Sequence, residues 1–180
     1  MEKKIICLAG EMASGKGAIT EYIKDKYSGE SYKFSDAFRK MLDVLHIEHN
    51  RENISNLSLH IRKAFGEDVL SRALAEDIKN SSASVIAIDG MRRIEEIEEL
   101  KKQKGFKLVY VEAGINNRYK RLVKRGENSG DSSKTFEEFE SDHKRNADSK
   151  IKDLKSEATV IINNDGTLKD LYKQIDTLLV

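Results

Sequence analysis

Proline and tryptophan are absent from this chain of 180 residues, cysteine occurs once, and neither sign of charge dominates. Without proline, helix ends and turns must be marked by glycine, polar caps and the period of the apolar residues. One cysteine cannot form a disulfide within the chain, which excludes a cystine-stapled scaffold and points to a reducing compartment. Cys7 lies inside the first apolar run and reads as core packing. With 32 basic and 31 acidic residues the net charge is only +1, so no overall field favours a nucleic acid or an anionic membrane. The first apolar run, "IICLA", is too short to span a bilayer, and no small-residue cleavage site follows it. Low-complexity tracts and internal repeats are also missing. The expectation is a cytoplasmic, monomeric, single-domain protein with no nucleic-acid and no membrane partner. His46, His49 and His60 follow no metal-ligand spacing, and His143 sits in a charged, solvated stretch.

What is present is an alternation of two periods. Short, almost wholly apolar runs ("KKIICLA", "SVIAIDG", "FKLVYVEA", "EATVIIN") read as strands covered on both faces, with "SYKFS" as a further strand. Between them lie segments of helical period. Ile19, Tyr22, Ile23 and Tyr27 mark the first, and Phe38, Met41, Leu42 and Leu45 mark a second, capped by Asp36. A third runs from Arg51 to Phe65 and ends at Gly66, "EDVLSRALAEDI" is a fourth, and "RIEEIEELKKQKG" a fifth with a Glu98 to Lys102 pair outside. "INNRYKRLVKRG" and "LKDLYKQIDTLL" complete the set. Five strands alternating with helices predict an α/β, three-layer arrangement, a five-stranded parallel sheet flanked by helices. The polar stretch "ENSGDSS" interrupts the alternation ahead of the charged helix "KTFEEFESDHKRNAD" and reads as a flap.

Gly10, Gly15 and Lys16 in "LAGEMASGKGAIT" have the spacing G-x-x-x-x-G-K. In that pattern backbone N–H groups converge on phosphates and the lysine neutralises them. The match follows a buried-type strand and opens a helix, where the helix dipole adds to the site. Gly17 stands where a serine or threonine hydroxyl usually holds magnesium.

"GEMASGKGA" resembles the nucleoside monophosphate kinases, adenylate and cytidylate kinases in particular, in which glycine commonly follows the lysine. The "FESD" and "NDGTL" segments are similar to those of archaeal adenylate-kinase-like proteins. The resemblance implies a P-loop NTPase fold with a small acceptor-binding segment (36–82) and a lid segment (126–147). It also implies transfer of the γ-phosphoryl group of ATP to a nucleoside or deoxynucleoside monophosphate, with Mg2+ held mainly through water and phosphate. ATP would meet Gly10, Ala13, Ser14, Gly15, Lys16, Gly17 and Ala18, then Arg121, Arg125 and Gly166 of the "NNDG" turn. Ala18 departs from the threonine usual in adenylate kinases.

"FSDAFRKML" looks like the acceptor segment and maps Ser35, Asp36 and Arg39 onto it. "IDGMRR" looks like "DGFPR", mapping Asp89 to a magnesium-bound water and Arg92, or its neighbour Arg93, to the acceptor phosphate. Arg118, Arg121 and Arg125 fall within about 60° of one another on their helix. Arg121 and Arg125 resemble the arginines before the lid, and Arg145 its returning arginine. Lys16, Arg92, Arg125 and Arg145 would then carry the catalytic charge. Arg62 lies in a stretch faintly similar to the acceptor region of phage-type deoxynucleotide monophosphate kinases. It shares a helix face with Arg51 about 16 Å away, with Ser55 and Ser58 between them. A dephospho-coenzyme A kinase, or a P-loop ATPase with no nucleotide acceptor, is the alternative reading.

Overall fold

The computed structural model describes residues 2–126, 130–143 and 150–179, without the side chains of Arg51 and His143. Five parallel strands form one sheet in the order β2-β3-β1-β4-β5. They are β1 (Lys4–Ala9), β2 (Glu30–Lys33), β3 (Val85–Asp89), β4 (Phe106–Glu112) and β5 (Val160–Asn163). The α/β architecture expected from the alternating periods is the one present.

Side-chain parity along the central strands builds two cores. Ile5, Cys7 and Ala9 of β1 face one side with Ile86, Ile88, Leu108 and Tyr110. Ile6 and Leu8 face the other with Val85, Ala87, Val109 and Val111. The first side is covered by α2 (Phe34–Val44), α4 (Val69–Asn80) and the short α5 (Glu98–Lys101), through Phe38, Leu74, Ile78 and Leu100. α3 (Arg51–Phe65) lies against this layer. The second is covered by α1 (Lys16–Tyr27) and the closing helix (Leu168–Leu179), through Ile19, Ile23, Leu171 and Ile175. Each fully buried Ile or Leu contributes about 1.5–3 kcal/mol, against about 0–1 kcal/mol for a surface ion pair, so these cores set the fold. Cys7 is buried, and burial pushes its thiol pKa well up, as core packing requires.

The absence of proline is met by left-handed residues at helix ends: Ser28 (φ 50°) after α1 and Gly126 (φ 54°) after α6 (Ile115–Arg125). Three local expectations are corrected. The strand expected over "SYKFS" stops at Lys33, and α2 begins at once at Phe34, so Asp36 lies in the first helical turn and Lys33 takes the cap position. "RIEEIEELKKQKG" forms a single 3-10 turn (Ile94–Glu96) and the four-residue α5, because Glu96 turns inward to a buried partner instead of staying on an exposed face. The Glu98 to Lys102 pair is replaced by the three-residue spacings of so short a helix: Lys102 meets Glu99 at 2.6 Å and Lys101 meets Glu98 at 3.5 Å.

Residues 130–143, which begin within the expected flap, pack on α6. Tyr119 Oη donates to the Lys134 carbonyl (2.9 Å) and its ring packs against Phe136 and Phe139 of α7 (Phe136–His143). Asp142 accepts from Lys134 at 2.6 Å.

α1, whose first turn carries Lys16, is tied to the closing helix by a polar cluster. Tyr22 and Tyr27 both donate to Asp176 Oδ1 at 2.7 Å, Lys26 reaches Oδ2 at 2.8 Å, and the Tyr22 and Tyr172 rings stack at 3.9 Å. Hydrogen bonds from Lys26, then Tyr27 and Tyr22, lower the Asp176 carboxyl pKa to about 2. A depressed carboxyl stabilises the fold above its unfolded pKa of about 3.9, and that contribution is lost as pH falls through the folded value. The melting temperature of D176N should therefore lie below wild type at pH 6 and converge with it between about pH 4 and 2. Parallel melting curves in that window would refute the cluster's role.

Candidate functional site

All strands are parallel, so Ala9, Lys33, Asp89, Glu112 and Asn163 end at the same edge of the sheet. The segments that follow them are thereby gathered at one edge: the glycine loop, the start of α2, Gly90 to Arg93, Gly114, and Asn164 to Gly166. Ligands in open α/β sheets bind at this carboxyl edge.

The loop between β1 and α1 is shaped by its glycines. A Cβ on Gly10 would lie 2.4 Å from the Val111 carbonyl oxygen, and one on Gly15 would lie 2.0 Å from Asn164 Nδ2; both residues have positive φ, 140° and 115°. Ala13 takes φ 59°, a left-handed conformation that costs a non-glycine residue roughly 1–2 kcal/mol. Lys16 folds back across the loop, its ammonium donating to the carbonyls of Gly10 (2.7 Å) and Glu11 (3.1 Å). A phosphate in the loop would replace these neutral acceptors with charged ones, a stronger interaction. Nothing lies within 4 Å of a Cβ built on Gly17, so the missing hydroxyl there is not imposed by space. Ala18 packs against the core under α1, which gives an apolar residue a reason at that position.

Asp89 ends β3 beside the loop, half-buried, with Oδ1 accepting the Gly90 N–H at 2.6 Å. Ser35 and Asp36 are half-buried in the first turn of α2, and Arg39 is exposed one turn on. Asp36 and Arg39 line a groove of about 790 Å3 between β2, α2 and α4, with Tyr32, Met41, Leu70 and Asp77; Lys16, Asp89 and Arg92 do not line it. Of the two adjacent arginines, Arg93 pairs with Glu67 at 2.8 Å, whereas Arg92 is exposed and its backbone N–H donates to Glu96 Oε2 (2.7 Å). Glu96 Oε1 meets Arg62 Nη2 at 2.5 Å, both side chains being less than a tenth exposed. Arg62 also donates to Ser58 Oγ and stands 5.8 Å from the Phe38 ring. The structure thus places Arg62 behind the Arg92 loop, held to it through the carboxylate of Glu96, which sequence reasoning did not single out.

The basic edge of α6 divides by depth. Arg118 is buried: it pairs with Glu11 (3.0 Å) and donates to the carbonyls of Ala113 (3.0 Å) and Met12 (3.4 Å). Burial lowers its pKa, with Glu11 opposing, and burial, then Glu11 and Glu112, pushes neighbouring Tyr110 up to about 12. Arg121 reaches the carbonyls of Asn164 (2.6 Å) and Ser14 (3.5 Å). Arg125 is exposed in the last turn, and Gly166 is exposed beyond β5. Arg145 lies outside the described residues, as does most of the stretch on either side of residues 130–143 in the expected lid.

Sequence reasoning missed Glu11, Glu96, Asn164 and Asp165. Asp165 accepts the Gly114 N–H (2.7 Å) and Asn117 Nδ2 (2.9 Å), which hold its carboxyl below the usual range and join the loops after β4 and β5. Among the described residues no three His, Cys, Asp or Glu side chains gather as a metal site, and no helix is long and apolar enough to cross a membrane.

This geometry agrees with its relatives. A UPF0200 protein of Pyrococcus abyssi is 27% identical over 97% of this chain and 95% of its own length. One from Sulfurisphaera tokodaii is 27% identical over 98% and 96%. Among solved structures, the shikimate kinase of Bacteroides thetaiotaomicron superposes with a TM-score of 0.65 at 15% identity, covering 98% of each chain. TT1252 from Thermus thermophilus gives 0.60 at 15% identity over 99% and 97%. These likenesses establish a P-loop kinase-type fold. The model of the AAA domain family matches residues 9–140, the glycine loop included, and the chain belongs to that family.

Proposed function

We propose that this protein transfers the γ-phosphoryl group of ATP to a nucleoside or deoxynucleoside monophosphate. The observation that carries the reading is the convergence of the lysine-closed loop, Asp89 and the Arg92 loop at one edge of a parallel sheet. An oxygen of the acceptor phosphate is already a nucleophile, so no enzyme-bound intermediate is needed. The new bond joins that oxygen to the γ-phosphorus, the bond from the γ-phosphorus to its bridging oxygen breaks, and ADP leaves. Catalysis is then positioning and charge neutralisation.

Gly10 to Ala18 cradle the ATP phosphates, with Lys16 bridging the β- and γ-phosphates. Arg121 and Arg125 lie along the nucleotide side, and Gly166 passes the base. Ser35, with Asp36 and Arg39 of the 36–82 segment, faces the acceptor, with Arg92 on its phosphate and Arg62 supporting Arg92 from behind. The 126–147 segment is the expected lid, whose part would be to exclude water, which competes for the phosphoryl group; its described residues 130–143 pack on α6, and Arg145 lies outside the described residues. The donor set fits Mg2+, an ion that one or two carboxylates and the substrate phosphates suffice to bind, because Asp89 offers one strand-end carboxylate. Asp89 would hold it through water, and its charge would offset that of the triphosphate.

The test is ADP formation from ATP and magnesium with a panel of nucleoside and deoxynucleoside monophosphates, dephospho-coenzyme A and shikimate. One or more monophosphates should raise the rate at least tenfold over the acceptor-free control. Equal ADP release with no acceptor would make this an ATPase. Stimulation by dephospho-coenzyme A or shikimate alone would move it to another kinase class.

A further inference from the structure

We propose that Asn164 is a positioning residue for the phosphate loop: its buried amide, with the Arg121 guanidinium, fixes the Ser14–Gly15 peptide so that the Gly15 N–H is presented to a bound phosphate. The inference rests on the loop binding phosphate, as in the function proposed above.

Asn164 is only 3% exposed and stands one residue beyond β5, where its N–H continues the sheet ladder to the Glu112 carbonyl at 2.7 Å. Its backbone is therefore set by the sheet rather than by a free loop. A buried amide must find partners, and Nδ2 donates to the Ser14 carbonyl at 2.7 Å, across 150 positions of sequence. Arg121 closes the arrangement, with Nη2 on the Asn164 carbonyl (2.6 Å) and Nη1 near the Ser14 carbonyl (3.5 Å). The Ser14 carbonyl is thus drawn toward β5 by two donors.

The peptide unit is planar and trans, so its C=O and N–H point in opposite directions. Holding the Ser14 carbonyl toward β5 turns the Gly15 N–H away from it, toward the space the loop encloses. Rotating that peptide would break the hydrogen bond from Asn164 and the longer contact from Arg121. Gly15 itself is part of the device. Apart from its positive φ, a Cβ there would fall 2.0 Å from Asn164 Nδ2, so the brace and a side chain at position 15 are mutually exclusive. Electrostatic preorganisation requires donors whose direction is set before the anion arrives, and Asn164 sets one.

The experiment measures equilibrium affinity for ATP, inorganic tripolyphosphate and adenosine, alongside the melting temperature of the unliganded protein. N164A should bind ATP and tripolyphosphate at least tenfold more weakly, the loss expected when a buried hydrogen-bonding brace is removed, while adenosine affinity is unchanged. In steady state KM for ATP should rise more than kcat falls. N164D keeps the shape but loses the donor. Its deficit relative to wild type should narrow from pH 7.5 to pH 5.5, because burial raises the pKa of a carboxyl, which takes up a proton as the pH falls and can then donate.

Variants that melt lower but bind tripolyphosphate as wild type does would overturn the proposal in favour of a purely structural bond. So would failure of both variants to fold. A wild-type protein that binds neither ATP nor tripolyphosphate would remove this inference and the phosphate-loop reading together. One that binds both but transfers to no acceptor would sink only the transferase reading and leave Asn164 measurable.

Discussion

Lys16→Ala is expected to lower kcat/KM for phosphoryl transfer by a factor on the order of a hundred to a thousand or more, the range seen when one preorganised group opposite developing charge is lost. The melting temperature should stay within about 2 °C of wild type, because the lost contacts are hydrogen bonds to carbonyls at the mouth of a surface loop. The two readouts separate a charge that works on the reaction from one that merely shapes the loop. If turnover persists in K16A, the loop takes no part in the chemistry. If turnover and melting temperature fall together, Lys16 acts as a strut.

The largest stability effect is expected at Glu96. Arg62 and Glu96 form an ion pair in which both side chains are less than a tenth exposed. Glu96→Ala strands a guanidinium out of water and also strips the Arg92 N–H of its acceptor. Breaking such a pair from one side costs about 3–5 kcal/mol, which for a chain of this size lowers the melting temperature by roughly 6–20 °C. Replacing both partners by apolar residues of similar volume, R62M with E96L, should recover most of that loss, because neither charge then needs solvating. The same double variant should raise KM for the acceptor severalfold, since the turn carrying Arg92 loses its anchor. Urea unfolding and steady-state kinetics on the three proteins give both answers. A fully stable E96A would show that water reaches Arg62, contrary to its burial.

The sheet and the loop were legible because their signals are local. Four short apolar runs, each followed by a helical period, were enough to place the three central strands and the edge strand β5, and the spacing from Gly10 to Lys16 needs only seven consecutive residues. The braces were not legible, because each depends on what lies opposite. Helical angles correctly put Arg118, Arg121 and Arg125 on one edge, yet nothing in that spacing shows that Arg118 is sunk against Glu11 while Arg125 is exposed. Glu96 sits within a run of charged residues that reads as a solvated face, and only the arrival of Arg62 from α3 turns it inward. Asn164 reads as half of a plain turn until the fold brings Ser14 beside it. Asp36 was misplaced for a smaller reason: β2 passes into α2 without a connecting residue, so the cap falls at Lys33.

The strand order has a consequence for how the protein is made. β1 lies at the centre of the sheet, and its neighbours β3 and β4 are synthesised well after it, from residue 85 onward. The loop that follows β1 waits longer still, since its brace comes from residue 164. Until residue 164 has emerged, a ribosome-bound chain therefore carries the complete glycine-loop motif without the brace that holds it. Long-range closure of this kind is slow, and it leaves the apolar central strand uncovered in the meantime. If Asn164 braces the loop as proposed, nucleotide affinity doubles as a report that β5 has been laid down.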